Sequence, residues 1–190
     1  MRIAGVVLAA GASTRLGRPK QLVEIDGQTL VRRSLRSALG CGCDPVGLVV
    51  GANAERVAAT SLELGVVVLQ NDEWREGIAS SIRVAAAWAE SIPCDGLLLA
   101  LCDQVHLTVV HLRNLLAAFG REKRCVGSAY NGTTGAPAVF ARSDLHALCA
   151  LEGDRGAGRL LAGATSVEWP QGAIDIDTDQ DVLAHLRSRV

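Results

Sequence analysis

Three groups of residues have the types and spacing for phosphate and metal chemistry. The first lies in "VVLAAGASTRLGRPKQL", Val6–Leu22, which begins apolar and becomes a stretch of glycines, hydroxyls, Arg15, Arg18 and Lys20, with no acidic residue before Glu24. Glycines let a backbone approach a ligand closely, and successive N–H groups form an anion-binding concavity. Arg15 and Lys20 add charge suited to a phosphate chain. The spacing of Gly11, Gly17 and Lys20 fits neither a P-loop nor a G-x-G-x-x-G dinucleotide turn. Taken alone, such a loop also reads as a plain solvated turn.

The second is "LLLALCDQVHL", where Asp103 closes an apolar run. A carboxylate at the carboxyl end of a strand, facing a basic loop across the same sheet edge, suits Mg²⁺ bound to a nucleotide, because Mg²⁺ takes one or two carboxylates plus phosphate oxygens. Helix capping is the structural alternative for Asp103, although Thr108 is better placed for it. The third is "AIDIDTDQD", in which Asp175 and Asp177 alternate with Ala173, Ile174 and Ile176. In a strand both carboxylates would share one face. Paired like charges need a cation or donor beside them. With Asp103 they form a candidate metal set: Asp103, Asp175 and Asp177. One of Asp177, Thr178 and Asp179 must also cap the helix that follows.

Other reactive residues read as structural. The four histidines are dispersed, Ser80-Ser81 lacks the partners of a nucleophilic serine, and Arg121–Arg124 is most simply a solvated helix end. Trp74 either walls a cleft or packs in the core; Trp88 and Trp169 read as packing. The six cysteines are scattered among apolar neighbours, and Cys41-Gly42-Cys43 has no second pair nearby. They read as reduced thiols, with zinc disfavoured.

Elements that position these groups follow from patterning. Apolar runs at Ile3–Ala10, Val46–Val50, Val66–Leu69, Gly96–Leu101 and Cys125–Ala129 lack alternation, as strands covered on both faces do. Helical patterns separate them at Thr29–Leu39, at Ala54–Leu64, on the Ile78/Ile82/Ala85/Ala89 face, and on the Leu112/Leu115/Leu116/Phe119 face capped by Thr108. A Gly-rich turn is expected at Asn131–Gly135, then a strand at Ala138–Phe140, a helix from Ser143, a last strand near Ala173–Asp177 and a helix at Asp179–Leu186. The order predicts a single α/β domain: a Rossmann-like, three-layer α/β/α, doubly wound and mostly parallel sheet. Ligands of such sheets bind beyond the carboxyl ends of the strands, where Gly11–Lys20 falls.

Composition bounds the rest. The chain has 190 residues, 49% hydrophobic and 21% charged, with a formal net charge of −1. That is one globular domain, and near-neutrality argues against coating nucleic acid. No apolar run reaches the ~18–20 residues of a membrane span, and the sequence opens directly on a strand pattern, so the expectation is a cytoplasmic protein with neither nucleic-acid nor membrane partners.

The combination "LAAGASTRLGRPKQL…GQTLV" resembles the LAAGxSxRMGxxKxL signature of nucleotidyltransferases with a glycosyltransferase-A-like fold, the nucleotide-diphospho-sugar transferase type. Within them the chain looks most like the molybdenum cofactor cytidylyltransferases and related molybdopterin nucleotidyltransferases. The likeness continues through "NDEWREGIASSI", "LCDQV", "GAPAVF", "LEGDRGAGRLL" and "DIDTDQD", in family order over essentially the whole chain. The resemblance implies transfer of a nucleoside monophosphate from a nucleoside triphosphate to a phosphorylated acceptor, with release of pyrophosphate. It implies a nucleotide-binding half at about 1–105 and an acceptor-binding half at about 106–190. Leu8, Ala9, Ala10, Gly11, Ala12 and Ser13 would hold the nucleotide largely through backbone groups, with Asn71, Gly77 and Ser80 bordering it. Arg15 and Lys20 would bind the triphosphate, and Asp103 would hold Mg²⁺ (or Mn²⁺) with Asp175 or Asp177. Arg15, Lys20 and Asp103 are thus the implied catalytic residues. Gly135, Pro137, Gly153, Asp154 and Gly156 would lie towards a pterin-type acceptor, whose product would pass to a molybdoenzyme.

Ala9-Ala10-Gly11 matches the cytidylyl pattern, whereas the guanylyl relatives carry LAGG, so CTP is expected over GTP. Three positions depart from the family: Val105 replaces the proline after Asp-Gln, Leu16 replaces Met, and Gly158 stands where the acceptor motif has Arg. Val105 removes a fixed φ. At Gly158 an arginine moved one place along a helix turns by about 100°, leaving Arg155 or Arg159 as substitutes. Two alternatives remain open: nucleotidyl transfer to another small phosphorylated acceptor, or a cofactor-binding chaperone without catalysis.

Overall fold

Strands that are apolar at consecutive positions need cover on both faces. A computed structural model, which describes residues 1–187, shows how the chain supplies it. The strands are β1 (Ile3–Leu8), β2 (Glu24–Ile25), β3 (Gln28–Thr29), β4 (Val46–Val50), β5 (Val67–Gln70), β6 (Gly96–Leu101), β7 (Val126–Tyr130), β8 (Thr133–Ala141) and β9 (Thr165–Glu168). The helices are α1 (Leu30–Gly40), α2 (Ala54–Ala59), α3 (Ile78–Glu90), α4 (Val109–Glu122), α5 (Leu145–Cys149) and α6 (Asp179–Arg187). Seven strands form one sheet in the order β5-β4-β1-β6-β8-β7-β9, with β2 and β3 a separate ribbon. β1 pairs in parallel with both β4 and β6, whereas β8 runs antiparallel to β6 and β7.

Successive side chains of a strand point to opposite faces. Val7 of β1 and Leu98 of β6 accordingly pack with Val31 and Leu35 of α1 and with Leu112 and Leu115 of α4. Their neighbours Val6, Leu8, Leu97 and Leu99 pack with Ile82 and Ala85 of α3 and Leu145 of α5. This is the predicted three-layer, mostly parallel α/β architecture. A third, smaller cluster of Leu16, Val23, Ile25, Leu30, Val105 and Ile176 lies apart from the two main layers. All six cysteines are free, and no helix among the described residues is long and apolar enough to cross a membrane.

Several expected elements differ. Helix α2 stops at Ala59 instead of Leu64, because the Thr60 and Ser61 hydroxyls donate to the carbonyls of Val57 and Ala58, both at 2.7 Å. Such local bonds offer the backbone an alternative to further helix. The Gly-rich turn shrinks to Asn131-Gly132, both with positive φ (49° and 71°), which suits a two-residue hairpin and draws Gly135 into β8. The strand expected near Ala173–Asp177 is absent: Pro170–Ala173 is a 3₁₀ turn, followed by a single bridge between Gln104 and Asp175. Strand β9 and the β2–β3 ribbon were not apparent from patterning.

Thr108 caps α4 as expected, its hydroxyl accepting from His111 N at 3.2 Å. Thr108→Ala should lower stability by about 1 kcal/mol, read from urea denaturation; an unchanged midpoint would remove the cap from the account.

Candidate active site

The carboxyl ends of β1 and β6 lie side by side, and the Gly-rich loop leaves one while Asp103 follows the other. Asp177 arrives from the segment before α6. These meet at Lys20, whose ammonium hydrogen-bonds Asp103 and lies 2.9 Å from Asp177 Oδ1. Lys20 is 19% and Asp103 14% exposed at the side chain. Burial works against the Lys20 charge, but the attraction and hydrogen bond of Asp103 and the hydrogen bond of Asp177 outweigh it, raising its pKa above the ordinary lysine value. Arg15 reaches the other oxygen of Asp177 at 2.7 Å, and Arg18 pairs with Asp179 at 2.7 Å. The cations that looked unopposed in sequence therefore face carboxylates brought from the far end of the chain.

Asp175 and Asp177 converge on this point without a strand. Ile176 between them is fully buried in the small cluster, and its N–H donates to Asp103 O at 3.1 Å. Asp175 stands near Asp103, Asp177 and Lys20; its carboxyl pKa rises from 3.8 to about 6, first through desolvation and then through Asp103 and Asp177. Val105 and Leu16, two of the family departures, pack together in the same cluster.

A cavity of about 380 Å³ opens beside Lys20 and Asp103, with Leu8, Ala9, Ala10, Gly11, Arg15 and Trp74 on its wall. Ala10 and Trp74 crowd Gly51 there: a Cβ on Gly51 would stand 2.8 Å from Ala10 Cβ and 2.7 Å from Trp74 Cβ. Ala12 and Ser13 continue the loop half-buried. Ser81 lines the cavity. Asn71 and Ser80 do not: both are buried, Asn71 Nδ2 donating to Ser80 Oγ and Ser81 Oγ at 2.9 and 3.0 Å, and Ser80 Oγ to Gly77 O at 2.8 Å. They hold the turn into α3.

Gly77, at φ 123°, admits the Gly153-Asp154 loop; a Cβ there would stand 2.6 Å from Gly153 O. Gly153 N donates to Glu76 at 3.0 Å, and Asp154 accepts from Ile78 N at 3.4 Å. Asp154 thereby lines the first cavity. A second, mainly apolar cavity of about 190 Å³ has Tyr130, Gly135, Phe140, Gly156 and Gly158 on its wall. The two cavities share Leu8, Ile78 and Leu101. Pro137 is buried, its carbonyl accepting from Ser128 Oγ at 2.7 Å. Arg155 and Arg159 are exposed and line neither cavity. His111 is buried and stacks on Trp169 at 4.6 Å, its pKa lowered by burial to about 4, so it packs as structure.

Patterning passed over one residue of this site. Gln21 is fully buried, and its Nε2 donates to Ala9 O at 2.9 Å and Gly11 O at 2.7 Å. Its only sequence signal is an uncharged amide set between Lys20 and apolar Leu22.

No three His, Cys, Asp or Glu side chains among the described residues stand as a ready metal cage. A nucleotide-bound divalent cation needs fewer, one or two carboxylates plus phosphate oxygens. Asp103 Oδ1 is buried without a hydrogen-bond partner, and Asp175 is the neighbouring carboxyl. This oxygen-rich pair fits such an ion.

A parallel-sheet edge with a cationic loop, a closing aspartate and two adjoining cavities defines a nucleotidyltransferase of the nucleotide-diphospho-sugar transferase fold. The chain belongs to the family of the MobA-like NTP transferase domain, whose model matches residues 5–169. It is 34% identical to purine catabolism protein PucB of Bacillus subtilis (strain 168), over 93% of this chain and 92% of that one. It is 30% identical to a molybdenum cofactor guanylyltransferase of Rhodobacter capsulatus, over 99% and 92%. It is also 38% identical to nicotine blue oxidoreductase of Paenarthrobacter nicotinovorans over 68% of this chain, which spans 62% of that relative. Among solved structures, Rv0371c of Mycobacterium tuberculosis H37Rv in complex with manganese superposes with a TM-score of 0.80 at 30% identity, over 99% of this chain and 100% of the other.

Between pH 3.8 and about 6 the folded Asp175 carboxyl holds a proton that the unfolded chain has lost, so ionisation of this group costs stability as pH rises. Asn cannot ionise. In chelator-treated buffer, Asp175→Asn should be more stable than the wild type at pH 8, with the gap closing as pH falls from 6 towards 4; a pH-independent gap in urea titrations would contradict the assignment.

Proposed function

We propose that this chain moves CMP from CTP onto a small phosphorylated acceptor with a flat ring system, a molybdopterin-type molecule, and releases pyrophosphate. The observation that carries the reading is the shared wall of Leu8, Ile78 and Leu101, which sets the cavity lined by Arg15, Lys20 and Asp103 against a mainly apolar one. An acceptor phosphate oxygen would bond to the α-phosphorus as the bond to the bridging oxygen of pyrophosphate breaks. Such chemistry needs positioning and charge stabilisation more than covalent help. Arg15 and Lys20 are the groups that bind the triphosphate and offset charge on the departing pyrophosphate. Asp103, with Asp175 or Asp177, would hold Mg²⁺ or Mn²⁺, which when bound supplies electrostatic stabilisation of the phosphates. The manganese complex of Rv0371c supports a divalent ion.

CTP is favoured over GTP by the Ala9-Ala10-Gly11 pattern, Ala10 lying on the cavity wall. The apolar second cavity supports a ring over a polyol, because unpaired hydroxyls are costly to bury there. Gly135 and Gly156 on its wall, and Asp154 on the wall of the first cavity, fit an acceptor approaching from the 106–190 half, and a molybdoenzyme is the natural recipient of such a product. The work is suited to the cytoplasm, where both substrates would be met.

The test pairs CTP and GTP with molybdopterin and with sugar and alcohol phosphates, in Mg²⁺ or Mn²⁺, and reads pyrophosphate. CTP-dependent release with molybdopterin is expected. Preference for GTP overturns the base assignment, release only with another acceptor overturns the pterin, and tight pterin binding without release makes the chain a carrier. Asp103→Ala should cut metal-dependent turnover by at least ~100-fold; retained turnover would remove Asp103 from the metal site.

A further inference from the structure

Gln21 satisfies the loop at three points. Beyond its bonds to Ala9 O and Gly11 O, its Oε1 accepts from Ser13 Oγ at 3.3 Å. The same Ser13 oxygen accepts from Lys20 N at 3.0 Å. A hydroxyl has one proton to give and lone pairs to receive, so this arrangement uses Ser13 in both senses. Ser13 is a non-glycine residue at φ 57°, a conformation that an L-residue keeps only when its surroundings hold it. Those surroundings are Gln21 and the backbone of Lys20 at the side chain, with Leu16 N and Gly17 N donating to the Ser13 carbonyl at 3.1 and 3.2 Å. Gln21 itself sits in the 3₁₀ turn Lys20–Leu22, so one short turn carries both the ammonium that meets Asp103 and the amide that braces the loop.

The chemistry demanded of position 21 is narrow. Two backbone carbonyls need donors and one hydroxyl needs an acceptor, within reach of a buried turn. A neutral primary amide on a two-carbon stem meets all three needs. A glutamate keeps the shape but turns a donor pair into an anion facing two carbonyl oxygens. A methionine keeps the volume and makes none of the bonds.

We infer that Gln21 is a positioning residue for the triphosphate: although it lies on the wall of the same cavity, its side-chain hydrogen bonds all go to the loop, and it sets the backbone of Ala9–Ser13 and the Lys20 ammonium in one binding-ready arrangement. This rests on the nucleotidyl-transfer reading above. It extends that reading to a residue whose side chain is sealed from solvent.

Binding of CTP and GTP with Mg²⁺ to the full chain, measured by titration calorimetry without acceptor, tests it. In Gln21→Glu the Kd for the triphosphate that the wild type binds should rise about tenfold or more, as loss of more than one buried hydrogen bond implies. Ser13→Ala should raise it less, and the double variant should add nothing to Gln21→Glu, because both act through one linkage. Leu148→Ala, in the core of α5 and away from both cavities, should lower Tm while leaving Kd within about twofold. If Gln21→Glu fails to fold, Gln21→Met takes its place in the same cycle. Lowered Tm with unchanged Kd in the Gln21 variant makes the residue merely structural and overturns the inference alone. A wild type that binds neither triphosphate overturns the inference together with the transfer reading.

Discussion

The half-buried ammonium of Lys20 is the constraint on which the site depends. Removing a charge from water is costly unless it is paired and hydrogen-bonded, and Lys20 answers this with Asp103 on one side and Asp177 on the other. These residues come from the loop after β1, the end of β6 and the segment before α6. One ion cluster therefore fastens three distant stretches of chain at a single sheet edge. The converse holds for the acids: Asp103, Asp175 and Asp177 would repel one another without the lysine, and Asp175 has its pKa raised by desolvation first and by Asp103 and Asp177 after it, with Lys20 working the other way. A site with surplus negative charge beside exposed Arg15 is suited to exchange partners. On the transfer reading, phosphates take up the cations and a divalent ion takes up the carboxylates, so ligand binding replaces like with like.

A glycine-rich loop cannot hold itself in place, because glycine gives up the most backbone freedom on ordering. Here the holding is done from beneath. Leu16 within the cationic stretch and Val23 just after it pack with Ile25, Leu30, Val105 and Ile176. Val105 ties the turn after Asp103 into this cluster, and Ile176 ties in the two aspartates on either side of it. The replacement of proline by valine after Asp-Gln thus exchanges a covalent restraint on φ for a packing restraint. Gln104 reinforces the turn, its Nε2 donating to Ala136 O at 2.9 Å, which links the turn after Asp103 to the wall of the apolar cavity.

How much of this was legible follows from what each element buries. Central strands β1, β4 and β6 announce themselves because both faces are covered and every position is apolar. Asp103 is placed by the same logic, since the first charge after such a run falls at its carboxyl end. Strand β9 gives no such signal, with only Val167 partly buried in "TSVE". The alternation in "AIDID" imitates a strand, yet one anchored isoleucine suffices to aim both aspartates. Asn71 and Ser80 were visible through family resemblance, which marks positions without saying whether they serve ligand or scaffold; their hydrogen bonds serve the scaffold. Gln21 was invisible because nothing in hydrophobic periodicity marks a polar side chain that folds inward to satisfy backbone.

The division into a nucleotide half and an acceptor half describes the order of the chain better than its space. Leu8 and Leu101, from the first half, line the apolar cavity, and Asp154, from the second, lines the one beside Lys20 and Asp103. The crossing point is Gly77, where the absence of a side chain lets Gly153-Asp154 lie against the start of α3. Bound there by Glu76 and Ile78, the second half closes over the first instead of standing beside it. Transfer between two substrates gains most when both are held within reach of one another before any bond changes. On the transfer reading, a shared wall of three aliphatic side chains, near Asp103 and braced through Gly77, is a compact way to hold that distance, and it would leave the choice of base and acceptor to the residues lining each cavity away from that wall.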